Sequence, residues 1–246
     1  VGADVQKLIK ETQLPPGYSF DVGGQTREQQ EADAELAFYA GKVAVARFFA
    51  NDFNPAHIAG AKRLAQAAGL TNLTFSDQSF EEYKSAPLPE LDYVGLHGVY
   101  SWISAENRKH VTELLRQKLS PGGVVYISYN SLPGRNAALP LRRLLTDSAN
   151  LSQGPTAKRI TQAVAMAERV AALKTGFFAH NPDALRRLKQ MQGETINYLA
   201  HEYFNRDWNP QYFAEVVAEL GEAKLVFATS NLWPSGGARS TSLAFW

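Results

Sequence analysis

Apolar residues in the middle of the chain recur in short blocks that alternate with helical segments. The blocks predict strands at RFFAND (47–52), NLTFSD (72–77), LDYVGLHG (91–98) and VVYISYN (124–130). Apolar residues spaced three and four apart predict helices between them, at 55–69, near 79–84 and over 104–118. Short apolar strands that alternate with helices are typical of a parallel sheet covered on both faces.

The rest of the chain follows other patterns. From about 135 to 207 the periodicity is helical only, which is too long for one crossover helix and predicts an inserted subdomain. The α/β rhythm then returns, with a helix at 210–220 and strands at 223–229 and 240–246. Helical spacing also marks 29–46.

Together these patterns predict an α/β fold. We expect a doubly wound, mostly parallel, Rossmann-like sheet with an inserted all-helical subdomain and a C-terminal antiparallel strand. The predicted sheet domain spans 47–134 and 208–246, the helical subdomain spans 135–207, and an N-terminal arm and helix span 1–46. Because the first residue is Val1 rather than Met, we expect the sequence to be part of a longer chain.

The composition limits the partners that the protein can have. Its 25 basic and 24 acidic residues leave a formal net charge of +1, which indicates no nucleic-acid or anionic-membrane partner. No apolar run reaches the roughly 18 residues of a membrane span. With no cysteine, disulfides and thiolate metal sites are excluded. The expected location is the cytoplasm.

Polar or turn residues stand at four strand ends: Asp52, Asp77, His97–Gly98 and Asn130. Ligands of an open parallel sheet bind beyond the carboxyl ends of its strands. A carboxylate such as Asp52 suits a ribose diol, since it accepts from both hydroxyls, and Asp77 suits an exocyclic adenine amine. Each acid alone could equally be a helix N-cap. Together, at matching strand ends, they favour a nucleoside-type ligand.

Three stretches carry a resemblance to a known family: NDFNPAHIAGAKRLAQAAGLTNLTFSDQSFEEY (51–83), LDYVGLHGVYSWIS (91–104) and LRQKLSPGGVVYISYNSLPG (115–134). They resemble class I S-adenosylmethionine-dependent methyltransferases, in the branch with a methyltransferase regulatory domain that includes bacterial protein-lysine methyltransferases. Residues 166–217 are similar to that regulatory domain. The resemblance implies S-adenosyl-L-methionine as cofactor and a methyl acceptor that is a protein lysine or a small molecule.

The resemblance also implies which residues bind the cofactor. Asp52 would bind the ribose, with Phe53 beside the adenine. Asp77 and Gln78 would contact the adenine edge. The wall beside the methionine part would be formed by Leu96, His97 and Gly98.

Four further positions would face the transferred methyl group and the acceptor: Tyr100, Trp102, Tyr129 and Asn130. Of these, Tyr100 and Tyr129 are the catalytic candidates together with His97, and Trp102 and Asn130 are the substrate-binding candidates. An acceptor amine must lose a proton, and His97 or Tyr129 could hydrogen-bond it. Without the resemblance, VYSW (99–102) would be read as ordinary packing.

One departure concerns the glycine-rich turn expected before Asp52, an acid followed by x-G-x-G-x-G. The stretch ELAFYAG (35–41) keeps only the acid and one glycine, and it lies too close to the next strand for a parallel crossover. The stretch YSFDVGG (18–24) lacks the third glycine. Either residues between about 20 and 50 are missing from this sequence, or the loop is vestigial and cofactor binds poorly. The first is favoured, because a doubly wound sheet without its central strand should not hold together.

Two other functions stay open. The missing loop is consistent with a catalytically silent methyltransferase fold that acts as a binding module. An NAD-dependent oxidoreductase would also place an acid after the second strand, but it needs a glycine fingerprint and leaves HGVYSW (97–102) without explanation. No metal site is predicted, since the remaining histidines share no ligand spacing: His57, His110, His180 and His201.

Overall fold

The structure is a computed structural model that describes residues 46–231 and 240–245. The predicted N-terminal arm and helix, and both candidate glycine turns, lie outside the described residues.

The described strands form a two-stranded and a five-stranded sheet. They are β1 (Phe48–Asn51), β2 (Leu73–Ser76), β3 (Leu91–Leu96), β4 (Leu119–Leu132), β5 (Gln211–Tyr212), β6 (Phe227–Asn231) and β7 (Ser240–Phe245). β1 and β2 pair in parallel, as do β3 and β5 with β4, whereas β7 is antiparallel to β4 and β6. The predicted mostly parallel α/β fold with a C-terminal antiparallel strand is confirmed. Among the described residues, however, no ladder joins β1 to β3, so the expected single sheet is divided there.

The described helices lie close to their predicted positions. They are α1 (Pro55–Ala67), α2 (Phe80–Tyr83), α3 (Ala105–Lys118), α4 (Ala138–Leu151), α5 (Thr156–Ala172), α6 (Gly176–His180), α7 (Pro182–Gln190), α8 (Ile196–Phe204) and α9 (Phe213–Gly221). Single 3₁₀ turns lie at Tyr100–Trp102 and Met191–Gly193.

Strand β4 is longer than predicted, because the Pro-Gly-Gly run lies inside it as a bulge. Leu91 pairs with Leu119 but Tyr93 pairs with Val124. Between these two pairs β4 therefore contains more residues than β3 does, which is a bulge. The left-handed backbone of Gly122, with φ 82°, permits this bend.

Side-chain caps determine the residues at which α1 and α3 begin. The side chain of Asn54 accepts a hydrogen bond from the Ala56 N–H, and Pro55 occupies the first turn of α1. Ser104 caps α3 in the same way, accepting from the Asn107 N–H. As a result α1 begins at Pro55, three residues after Asp52.

Buried side chains form two separate cores. The first lies between the β3–β4 sheet and helices α3 and α9, and includes Tyr100, Val111, Leu115, Val125, Ile127, Tyr129, Val216 and Leu220. The second lies among helices α4 to α8, and includes Leu141, Leu145, Ile160, Leu188, Leu199 and Tyr203. The helices between β4 and β5 therefore bury their apolar faces mainly against one another.

Candidate functional site

The carboxyl ends of β1 and β2 are tied together by a carboxamide. Asn51 Nδ2 donates to the backbone oxygen of Gln78 at 2.9 Å, and the Gln78 N–H donates to Asn51 Oδ1 at 3.2 Å. The Asp52 N–H donates to the backbone oxygen of Ser76 at 3.2 Å. The structure therefore brings Asp52, Asp77 and Gln78 to one edge. Sequence reasoning missed Asn51, whose only signal was its place as the last residue of a strand.

The carboxylate of Asp52 is held from two sides. Its Oδ1 accepts from the Asn54 N–H at 2.8 Å, and its Oδ2 lies 2.9 Å from His57 Nδ1. The Asp52 side chain is 21% exposed, whereas the neighbouring Phe53 is 76% exposed. Asp77 is also exposed. The edge thus offers an oriented acceptor beside an open aromatic face, which is an arrangement that fits a ribose and a planar base.

The turn after β3 is fastened to β4. Gly98 has a left-handed φ of 65°, and its N–H donates to Ser128 Oγ at 2.6 Å. The exposed His97 ring is parallel to the Tyr126 ring, with centroids 6.1 Å apart and an interplanar angle of 5°. The Tyr126 hydroxyl lies 3.4 Å from His97 Nδ1. Sequence reasoning missed Tyr126, although its spacing of two and four from Ser128 and Asn130 places these three residues on one face.

Two predicted site residues, Leu96 and Tyr129, lie on the side of the sheet that faces the first core, opposite to His97 and Tyr126. Leu96 packs against the first core, and Tyr129 is 2% exposed within it. The Tyr129 hydroxyl has no hydrogen-bond partner in the described part of the chain, and burial raises its pKa. Successive residues of a strand face opposite ways. Leu96 and His97 therefore face opposite sides of the sheet, as do Tyr129 and Asn130, although the resemblance groups them at one site.

Tyr100 also belongs to the first core. It is fully buried, and its hydroxyl donates to Glu219 Oε2 at 2.5 Å. Arg108 Nε donates to the same oxygen at 3.1 Å, and Gln211 Nε2 donates to Oε1 at 3.0 Å. Burial and the hydrogen bond to Glu219 raise the pKa of Tyr100 far above its ordinary value. Because its hydroxyl is enclosed and occupied, Tyr100 fastens the turn after β3 and does not face an acceptor as predicted.

The predicted acceptor residues lie where the sheet meets the helical segment. The Trp102 ring centroid lies 4.7 Å from that of His201 and 6.2 Å from that of Trp208. Asn130 is 5% exposed, and its N–H donates to Ser101 Oγ at 2.7 Å. This edge of the site is thus bounded by the chain that follows α7.

The described residues contain neither a candidate metal site nor a candidate membrane-spanning helix. No group of three or more His, Cys, Asp or Glu side chains in them could hold a metal ion. None of the helices found there is both long enough and apolar enough to cross a membrane.

Comparison with known proteins gives a family match and a match of the fold. Residues 195–236 match the family model of a predicted methyltransferase regulatory domain. The fold is similar to that of PKMT2 from Rickettsia typhi in complex with AdoHcy, with a TM-score of 0.65 and 19% identity over 85% of this chain and 46% of that chain. The chain has a methyltransferase fold. The resemblance to methyltransferases with a regulatory domain, predicted from the sequence, is confirmed.

Relatives of this methyltransferase-fold chain are longer proteins. The uncharacterized protein sll1526 from Synechocystis sp. is 46% identical over 185 residues, which are 75% of this chain and 37% of the relative. The uncharacterized protein RP789 from Rickettsia prowazekii is 29% identical over 187 residues, 69% of this chain and 33% of the relative. The chain spans roughly a third of the length of these two relatives.

Proposed function

We propose that this chain is the S-adenosylmethionine-binding and catalytic part of a methyltransferase. The observation that carries the proposal is the Asp52 carboxylate, oriented at the end of β1 beside the Asn51–Gln78 tie. Among the described residues, each of its oxygens accepts one hydrogen bond, which leaves a second lone pair on each for a ribose hydroxyl. The fold shared with PKMT2, whose structure contains AdoHcy, supports the same cofactor.

The residues around Asp52 fit the nucleoside half of that cofactor. The open face of Phe53, 76% exposed, can stack on adenine, and the exposed Asp77 can accept from its amine. Gln78 is held by Asn51 close to the same edge. The methionine half would lie toward Gly98, whose N–H is fixed against β4.

When bound, S-adenosylmethionine supplies a methyl group on a positively charged sulfur that is already activated for displacement. The chain contributes alignment and a cation-attracting surface. The parallel His97 and Tyr126 rings stand at the turn after β3, and a tyrosine face attracts a cation by about 0.5–2 kcal/mol.

We also propose a protein lysine amine as the acceptor, on the side of Trp102 and Asn130. Such an amine reacts only after losing its proton, and the exposed His97 is the candidate that remains accessible to take it. The helical segment 135–207 would form a subdomain that bounds this side. Its separate core and the packing of His201 on Trp102 support that division.

Titration calorimetry tests the cofactor proposal. S-adenosylhomocysteine is titrated into the wild-type chain and into Asp52→Asn, with the exposed Asp92→Asn as matched control. Loss of the charged acceptor should weaken binding by about 10- to 100-fold, because hydrogen bonds to charged groups are worth about 1.5–3 kcal/mol. Wild-type affinity in Asp92→Asn is the expected control result.

Activity is tested by transfer of tritiated methyl from S-adenosylmethionine to lysate proteins. Transfer to lysine is the expected result. Binding without transfer to any acceptor would favour the silent binding module, and NADH oxidation without S-adenosylhomocysteine binding would favour the oxidoreductase.

A further inference from the structure

A set of hydrogen bonds surrounds the Asp52 carboxylate. The Asn54 N–H donates to Asp52 Oδ1 at 2.8 Å, and the Ala56 N–H donates to Asn54 Oδ1 at 3.0 Å. The Asn54 Nδ2 lies 3.1 Å from His57 Nε2, and His57 Nδ1 lies 2.9 Å from Asp52 Oδ2. Five hydrogen-bonding groups over residues 52–57 thus form one continuous network.

The donors in this network determine the state of the imidazole. A backbone N–H can only donate, so the Asn54 atom that faces Ala56 is its carbonyl oxygen, and its amide nitrogen faces His57. The amide nitrogen also only donates, and His57 Nε2 must therefore accept. The proton of the neutral ring is then on Nδ1, where it is donated to Asp52.

We propose that His57 is a positioning residue of the cofactor site, which fixes the rotation of the Asp52 carboxylate for the ribose diol. This inference rests on the proposed function, because Asp52 needs a fixed orientation only if a ligand meets it. With one donor on each oxygen, the carboxylate cannot turn about its Cβ–Cγ bond without losing a hydrogen bond. The remaining lone pairs are held toward the strand edge before any ligand arrives.

The proposed role of the His57 ring is exerted through Asp52. The His57 side chain is 29% exposed and lies in the first turn of α1, close to Asn54, which caps that helix. Removing the imidazole should leave the cap intact, since the Asn54–Ala56 bond does not involve it. Affinity should therefore change more than stability does.

The test compares three variants by titration with S-adenosylhomocysteine and by thermal unfolding. His57→Ala should weaken binding by about tenfold, the effect of losing one hydrogen bond to a charged group. His57→Asn keeps a donor near the position of Nδ1 and should recover binding to within about threefold of wild type. His180→Ala, an exposed histidine on α6, is the matched control and should bind as wild type does.

The outcomes separate this inference from the proposal beneath it. Wild-type affinity in His57→Ala overturns the inference and leaves the cofactor proposal standing. Absence of binding to the wild-type chain overturns both. An equal loss in His57→Ala and His57→Asn, with a matching fall in melting temperature, shows a structural role only.

A spectroscopic measurement needs no ligand. Two-bond ¹H–¹⁵N correlation spectra distinguish the two tautomers of a neutral histidine. The Nδ1–H form is expected at His57, and Asp52→Asn should perturb its Nδ1 signal. The Nε2–H form would overturn the inference whatever the titrations give.

Discussion

The hydroxyl of Tyr100 donates a 2.5 Å hydrogen bond to Glu219 Oε2, joining the turn after β3 to helix α9. Arg108 of α3 and Gln211 of β5 donate to the same carboxylate. Four elements therefore meet at the Glu219 carboxylate. These hydrogen bonds hold the turn that carries His97 and Trp102 from the side of the first core.

Removal of this hydroxyl should destabilise the fold. Tyr100→Phe keeps the volume of the fully buried ring. It removes one of the three hydrogen-bond donors that the described residues supply to Glu219. We expect the free energy of unfolding in urea to fall by about 1–3 kcal/mol. Tyr212→Phe, at a residue that is 47% exposed, is the control and should change it by less than about 0.5 kcal/mol. Equal stability of the two variants would show that the Tyr100–Glu219 bond does not contribute.

The pH dependence of stability should report the same hydroxyl. The pKa of Tyr100 is raised in the folded state by burial and by Glu219, so the folded chain keeps a proton that the unfolded chain loses above about pH 10. The stabilisation is thus complete below pH 10 and declines above it, by up to about 1.4 kcal/mol per pH unit. In Tyr100→Phe the unfolding free energy should fall less steeply with pH, by up to about 1.4 kcal/mol per pH unit, because one titrating group is absent. Identical slopes between about pH 10 and 11 would contradict this assignment.

The beginning of α1 shows what local sequence determines. The sequence predicts a helix over 55–69 with Asp52 as a possible N-cap, and in the structure the helix begins at Pro55 and is capped by Asn54. The position of Asp52 follows from that local chemistry alone. The orientation of its carboxylate does not, because it depends on His57, whose spacing from the other histidines indicates no ligand site.

Two predicted site residues lie in the core and not at the open edge, for different physical reasons. Tyrosine is apolar in its ring and polar at its hydroxyl, so VVYISYN shows no clear alternation. The pattern does not indicate that Tyr126, and not Tyr129, lies on the open face. Tyr100 was misplaced for another reason. Its partner Glu219 is 119 residues away in the chain, and no local pattern reports such a pairing.

Phe53 should contribute to ligand affinity without contributing to stability. Because 76% of the residue is exposed, Phe53→Ala removes little buried apolar surface. Stacking of a base on an aromatic ring is worth about 1–3 kcal/mol, so binding of S-adenosylhomocysteine should weaken by about 5- to 100-fold. Calorimetry measures the affinity and thermal unfolding the stability. A variant that binds as wild type does would remove Phe53 from the proposed site.

The proposed helical subdomain can be tested through its core. Leu145 on α4 is fully buried, and Leu145→Ala should cost about 2–5 kcal/mol. Leu151 on the same helix is 87% exposed, so Leu151→Ala should cost little and serves as control. If the segment 135–207 unfolds as its own unit, differential scanning calorimetry of Leu145→Ala will show one transition moved to lower temperature and the other unchanged. A single transition that shifts as a whole would argue against the division.

Trp102 should separate acceptor use from cofactor binding. Its ring packs on His201 and Trp208, whereas the nucleoside is proposed to bind at the Asn51–Gln78 edge. Trp102→Ala should therefore reduce tritiated methyl transfer to lysate proteins by about tenfold or more, through loss of an aromatic wall worth about 1–3 kcal/mol. The dissociation constant for S-adenosylhomocysteine should stay within about twofold of wild type, and Trp102→Phe should recover part of the transfer. If both quantities fell together, Trp102 would be supporting the whole turn after β3, and the acceptor would have to approach from another side.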